Sequence, residues 1–187
     1  MTIYDTIHNR RSVRPGEYTD APVSREVIER LIGAANAAPT HRRLYPWRFI
    51  VFDSASAKTE LGEFFADLAQ SNSETPIAAP KLRIARERPS KAAAAIAIVM
   101  KPDLEKLPEW EEVSATAAAV QNLWLALSAE GLVGYWSSPG PVCRGDGDKF
   151  LGLAEGEKCL GVFYLGHPAG EPAPIERPKA GDKVVWR

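Results

Sequence analysis

Apolar positions recur along this chain in two patterns, a helical spacing and short unbroken runs, and the polar stretches between them set the element boundaries. Residues 2–9 predict a first helix with Ile3, Ile7 and Tyr4 on one face, stopped by Pro15 and Gly16. Ser24, a good N-cap, precedes Val27, Leu31 and Ile32 at helical spacing, Glu26 suits the positive end of the helix dipole, and this second helix ends before Pro39. The aromatic and β-branched run at 47–52 predicts a strand. Ser54 caps a third helix through residue 69, and residues 71–80, rich in Ser, Thr, Pro and Asn, read as a mobile loop. A second strand is predicted at 93–100 on Ile96, Ile98 and Val99, although its alanines leave a helix open.

The longest helix is predicted for residues 108–130. Val113, Ala117, Val120, Trp124 and Leu127 step along it by 4, 3, 4 and 3, Leu123 and Leu125 widen the stripe, and Gly131 is the stop. Such a stripe suits plain core, and its repeat also suits a partner helix anchored on Trp124. A third strand at 132–136, a short helix at 146–151 and a fourth strand at 159–165 follow, and a Pro-rich tail from about 167 runs over the surface. Helices dominate the first half and strands gather at the end. That order predicts a single α+β, or three-layer α/β, domain over residues 1–187 rather than a βαβαβ array.

Composition narrows the function classes. With 45% apolar and 25% charged residues the chain reads as a globular protein, and 23 Lys and Arg against 24 Asp and Glu give no reason to expect nucleic acid or an anionic membrane as partner. Residues 1–9 lack the basic-then-apolar order of a secretory signal and the low-charge stretch 92–100 is too short for a bilayer, so the expected location is cytoplasmic. Cys143 and Cys159 do not form a C-x-x-C pair and read as free core thiols. His8, His41 and His167 have no carboxylate at ligand spacing, so no metal site is expected. The dinucleotide fingerprint fails at Phe150, and P-loop, H-E-x-x-H and G-x-S-x-G motifs are absent. If the chain is an enzyme, a cofactor carries the chemistry and no catalytic side chain is expected.

Four constellations remain. Arg10, Arg11, Ser12 and Arg14 put three guanidiniums and a hydroxyl within five residues at a helix end, which suits a phosphate or simply offsets the helix dipole. Ala38-Pro39-Thr40-His41, then Arg42, Arg43 and Tyr45-Pro46-Trp47, place cations on a loop before an aromatic strand, either as binding groups or as a solvated loop. Gly134-Tyr135-Trp136-Ser137-Ser138 ends a strand in two hydroxyls, which suits a planar heterocycle or an ordinary core strand and turn. Lys81, Arg83, Arg86, Arg88 and Lys91 face only Glu87 and read as a solvated helix face, or as a gate that attracts an anionic cofactor.

Together these segments resemble the nitroreductase family, and most closely its short, compact flavin mononucleotide (FMN) subgroup. The resemblance runs from Ile7 to Pro168 and rests on Asn9-Arg10-Arg11-Ser12, Ala38-Pro39 with His41 and Pro46-Trp47, Gly134 to Ser138, and Phe163-Tyr164-Leu165-Gly166. It implies a mainly antiparallel sheet flanked by helices, a long dimer-core helix, and a homodimer with two FMN sites at the subunit interface. It assigns Arg10, Arg11 and Ser12 to the flavin's phosphate and polar edge, His41 to the flavin of the other subunit, and Trp136, Ser137 and Ser138 to the length of the cofactor. The helix end at Ala126, Leu127, Ser128, Ala129, Glu130 and Gly131 matches a segment assigned to NAD(P) in the subgroup.

Two departures stand out. The subgroup carries Arg where this chain has Ala37, and again where it has Ser137, so two cations near the cofactor are missing. Arg14, Arg42 and Arg43 are the available substitutes. One lost charge-assisted hydrogen bond to phosphate costs about 1.5–3 kcal/mol, or roughly one to two decades of affinity.

The function implied is an FMN oxidoreductase that moves a hydride from NADH or NADPH through flavin to nitroaromatic or quinone acceptors in a ping-pong cycle. Two other readings are a same-fold flavin enzyme of different reaction, such as reductive dehalogenation or flavin breakdown, and a redox sensor that binds FMN without turnover.

Overall fold

The computed structural model describes residues 2–187. Thr2 opens the first helix, α1 (Ile3–Asn9), with a capping box in which its hydroxyl accepts from the Asp5 amide and the Asp5 carboxylate accepts from the Thr2 amide. Ser24 and Ser54 cap α2 (Arg25–Asn36) and α3 (Ala55–Ser71) as their positions predict. Between those helices lies β1 (Trp47–Phe52). Then come α4 (Ala79–Glu87), β2 (Ala94–Met100), α5 (Glu109–Ala129), β3 (Val133–Ser137), a short α6 (Asp148–Leu151) and β4 (Lys158–Gly166). Among the described residues no helix is long and apolar enough to cross a membrane.

The strands form one sheet in the order β1-β2-β4-β3, every neighbouring pair antiparallel. β2 has no exposed residue. Its two faces differ in size: Ile96 and Ile98 pack with α2 and α5, while Ala95 and Ala97 turn toward Leu61 and Phe65 of α3. The pleat sends successive side chains to opposite faces, so one alternating strand seeds both cores of a three-layer α+β domain. The antiparallel sheet flanked by helices is the architecture expected.

The departures from expectation have local causes. Residues 79–87 form α4, inside a region read partly as loop. No residue of α4 is buried, so it carries no core-facing stripe to announce itself. It is held by close backbone approach, because a Cβ at Gly62 of α3 would collide with the Arg86 carbonyl. The buried face of α5 is also rotated from the predicted stripe: Glu112, Ala115, Thr116, Ala119, Val120, Leu123 and Leu127 are buried, whereas Val113 is exposed. Thr116 tolerates burial by donating its hydroxyl to the Glu112 carbonyl at 2.9 Å. On α1 the buried residue is Thr6, and Ile3, Tyr4 and Ile7 are all exposed.

β4 carries a bulge at its middle, where Ile98 pairs with Gly161 and Val99 with Cys159. Gly161 has φ +127°, and a Cβ there would collide with the Ser137 carbonyl and approach the Trp136 indole nitrogen at 2.8 Å. The bulge thus shapes the end of β3. Gly161→Ala is expected to destabilise the fold by about 2 kcal/mol or more, read as a lower urea midpoint with unchanged slope.

The two cysteines are free, Cys159 buried and Cys143 half-buried. Burial pushes the Cys159 thiol up to about 11, and burial also raises Cys143. A thiol is the reactive species only as thiolate. In the native protein at pH 8, a thiol-specific chromogenic reagent should therefore label Cys143 first and leave Cys159 silent until denaturant is added.

Candidate functional site

The first site is built where α1 ends. Arg10 is its C-cap, and the chain then runs extended beside β3: Ser12 and Gly134 form an isolated parallel bridge, and the Val13 amide donates to the Gly134 carbonyl at 3.0 Å. Glycine at 134 is required, because a Cβ would press into Phe163 and Leu127. This bridge joins the Arg-Arg-Ser segment to the Gly134–Ser138 strand, two constellations that lie far apart in sequence.

Arg10 does not point to open solvent. Its guanidinium lies over the Trp124 ring, 4.3 Å from the centroid, and Trp124 meets Phe163 edge-on at 5.1 Å. Cation–π contact of this kind is worth about 0.5–2 kcal/mol and fixes the guanidinium plane. One nitrogen, Nη1, is buried without a partner. Burial holds the Arg10 pKa below its ordinary value, and the nearby charges of Arg177 and Arg11 add to that.

Arg177 is the residue that sequence reasoning missed. The tail is tied back to the domain by backbone bonds, Thr19 N–H to the His167 carbonyl and Ala169 N–H to the Glu17 carbonyl, both 2.9 Å. It then passes Arg11, whose Nε donates to the Ala173 carbonyl at 3.3 Å, and Arg177 donates to the Arg10 carbonyl at 3.1 Å. Arg10, Arg11, Ser12 and Arg177 line a cavity of about 290 Å³, walled by Pro172 to Ile175 and by one carboxylate residue, Glu17. None of the three arginines is in a salt bridge among the described residues. Three cations lining one cavity without a paired acid are a donor set of the kind that suits an anion.

Arg14 is placed further along, its guanidinium 6.0 Å from the Tyr135 ring centroid. On β3, Trp136 keeps its indole N–H buried and unpartnered, Ser137 is half-buried and Ser138 exposed. Ala37 and His41 lie elsewhere in the chain. Ala37 is the exposed C-cap of α2. His41 Nδ1 is 2.6 Å from Glu111 Oε2, and the pair lines a different cavity, of about 600 Å³, with Trp110 and Ser114. The loop that follows His41 holds Arg42, Arg43 and Tyr45 in left-handed backbone, φ +53°, +58° and +48°.

At the α5 terminus, Leu127 is in the core, the Ser128 hydroxyl donates to the Trp124 carbonyl at 3.0 Å, and Glu130 pairs with Arg30 at 2.9 Å. Ala126 packs against the core, Ala129 ends the helix and Gly131 turns the chain at φ +74°. The segment presents no cation for a dinucleotide phosphate. Among the described residues no three His, Cys, Asp or Glu side chains cluster as metal ligands.

Family comparison settles the class of protein, because the model of the Nitroreductase family matches residues 7–167. The chain belongs to the nitroreductase family. It is 26% identical over 181 residues to the Bacillus subtilis protein named "Putative NAD(P)H nitroreductase YfhC", covering 97% of this chain and 92% of that one. Among solved structures, a nitroreductase-like family protein of Bacillus cereus superposes with a TM-score of 0.87 at 26% identity, covering 100% and 96% of the two chains. A Bacteroides fragilis nitroreductase solved with bound FMN shares the fold, with a TM-score of 0.78 at 22% identity and both chains fully covered. Within this nitroreductase fold, the cation segment is joined to β3 at Gly134, while His41 lines a second cavity and Ala37 stays exposed at the end of α2.

If the Trp124 ring orients Arg10, Trp124→Phe should leave anion affinity within about threefold, whereas Trp124→Leu should weaken it about tenfold. Isothermal titration with pyrophosphate measures this, and equal losses in both variants would refute the stacking role.

Proposed function

We propose that this nitroreductase-family chain is an FMN-dependent oxidoreductase that takes a hydride from NADH or NADPH and delivers it to an electron-poor small molecule, a nitroaromatic or a quinone. The observation that carries the reading is the unpaired cluster of Arg10, Arg11 and Arg177 around Ser12, bridged directly to β3. A buried guanidinium nitrogen without a partner, beside a cavity, is what a phosphate oxygen would satisfy. The donor set therefore fits the phosphate end of FMN, and the orphaned Trp136 indole N–H with Ser137 and Ser138 fits its polar ring system.

Each residue has a definable task. Arg10, Arg11, Arg177 and Ser12 hold the phosphate, and Trp124 holds Arg10. Trp136, Ser137 and Ser138 line the ring, with Arg14 available at its polar edge. The flavin supplies the hydride transfer when bound, so the protein's work is binding, orientation and exclusion of water. Substrates alternate over one site, the ping-pong order. The sequence departures at Ala37 and Ser137 remove two cations, and Arg177 is the group placed to replace them.

The second half of the site comes from a second copy. Ile3, Tyr4 and Ile7 of α1 and Trp110 and Val113 of α5 are exposed apolar residues on helices that pack against each other. Such faces on a folded chain mark an interface, and a two-fold axis would bring one protomer's Ala37 and His41 to its partner's cation cluster.

Reconstitution tests the reading. Protein incubated with FMN and desalted should keep a flavin absorbance band, elute as a dimer and oxidise NADH or NADPH only when a quinone or nitroaromatic is present. A colourless product would sink the proposal, and flavin that NAD(P)H does not reduce in rapid mixing would favour the sensor reading instead. Arg177→Ala should raise the FMN Kd roughly tenfold or more, as expected for one lost charge-assisted bond, while the melting temperature of the apoprotein stays unchanged.

A further inference from the structure

A third cavity lies on the opposite side of the sheet from α5, between α3, the end of α4, the segment after β3, and β4. Its volume is about 130 Å³, and Phe65, Leu68, Ala85, Pro141 and Val142 give it apolar walls. For scale, an engineered apolar cavity of roughly 150 Å³ accepts benzene.

Two polar groups interrupt those walls, Tyr164 and Arg88. Tyr164 is 1% exposed, and its hydroxyl makes no hydrogen bond among the described residues, its backbone alone being engaged, by the neighbouring strands and by the Tyr18 hydroxyl. Burial raises the Tyr164 pKa, and the charge of Arg88, which lines the same cavity, opposes that rise. Arg88 is half-buried and has no carboxylate. Of the acids on α3 and α4, Glu63 pairs with Arg86 at 2.6 Å and Glu87 with Lys91 at 3.2 Å and Arg83 at 4.0 Å. Pro139 and Pro141 line the same cavity and contribute no backbone N–H there.

We propose that this cavity is a binding site for a small monocarboxylate with a compact apolar body, of the size of butyrate, separate from the phosphate site. The body fills the space between Phe65, Leu68 and Val142. The carboxylate pairs with the Arg88 guanidinium and accepts the Tyr164 hydroxyl. A dicarboxylate is refused, because the cavity offers one cation and its far walls are hydrocarbon. Entry runs past α4, which has no buried residue and is the wall cheapest to displace. An occupant would tie α4 to the segment that follows Ser138, so it borders the proposed flavin site without sharing its donors.

Equilibrium dialysis of the full chain with butyrate, with and without added FMN, tests the site. Saturable binding of one butyrate per chain is expected, unchanged by FMN, with succinate failing to compete. Arg88→Gln should weaken butyrate at least tenfold and leave butanol within twofold. Tyr164→Phe should weaken butyrate several-fold while the melting temperature confirms that the variant folds. No saturable binding below about 10 mM, or binding that Arg88→Gln does not change, would overturn the proposal. So would competition by FMN, since the acid would then be occupying the flavin site.

Discussion

The complete burial of β2 is the constraint on which the rest depends. A strand covered on both faces and paired on both edges cannot leave any backbone group to water, so β1 and β4 must both be in place before it is stable. Its isoleucines and alanines then set unequal spacing on the two sides. The larger face receives α2 and α5. The smaller face lets α3 come close, and Gly62 lets α4 follow. β1 and β3 are left as the edge strands, and at the β3 edge the chain entering from α1 joins the sheet through the Ser12–Gly134 bridge.

That position gives the candidate site its mixed character. Cations on a segment beside an edge strand remain reachable, whereas the strand itself is backed by the core through Phe163 and Leu127. Arg10 illustrates the balance. Its charge is partly desolvated on the Trp124 ring, at a cost that nothing inside the described chain repays by ion pairing. On the proposed reading, an external anion would complete the arrangement.

Much of this was legible in the sequence, for identifiable reasons. Strands rich in β-branched and aromatic residues, and helices opened by Ser24 and Ser54, announce themselves locally. The Arg10-Arg11-Ser12 cluster is visible because its members adjoin. The face of α5 was misread because Glu112 and Thr116, both polar, are buried, and burial of a polar residue leaves no apolar signal. α4 was legible only as the solvated, cationic helix face from Lys81, and its start fell in the stretch read as loop because it is a helix with nothing to bury. Arg177 could not be read at all. Its approach to Arg10 depends on the tail's return beside residues 17–19, a long-range pairing with no local pattern. His41 and Glu111 are likewise joined only by folding.

The tail's contribution has a consequence for the order of events in synthesis. Arg177 follows all four strands in the chain, so the sheet's residues are all made before the third guanidinium exists. The sheet needs none of the tail's side chains to close. On the proposed reading, capture of the cofactor is then separable from formation of the core, because the phosphate site gains its third cation from a segment outside the sheet. Exposed terminal segments of this kind occupy the low end of local stability, so loosening the tail would strip one arm from that site while the core stays folded.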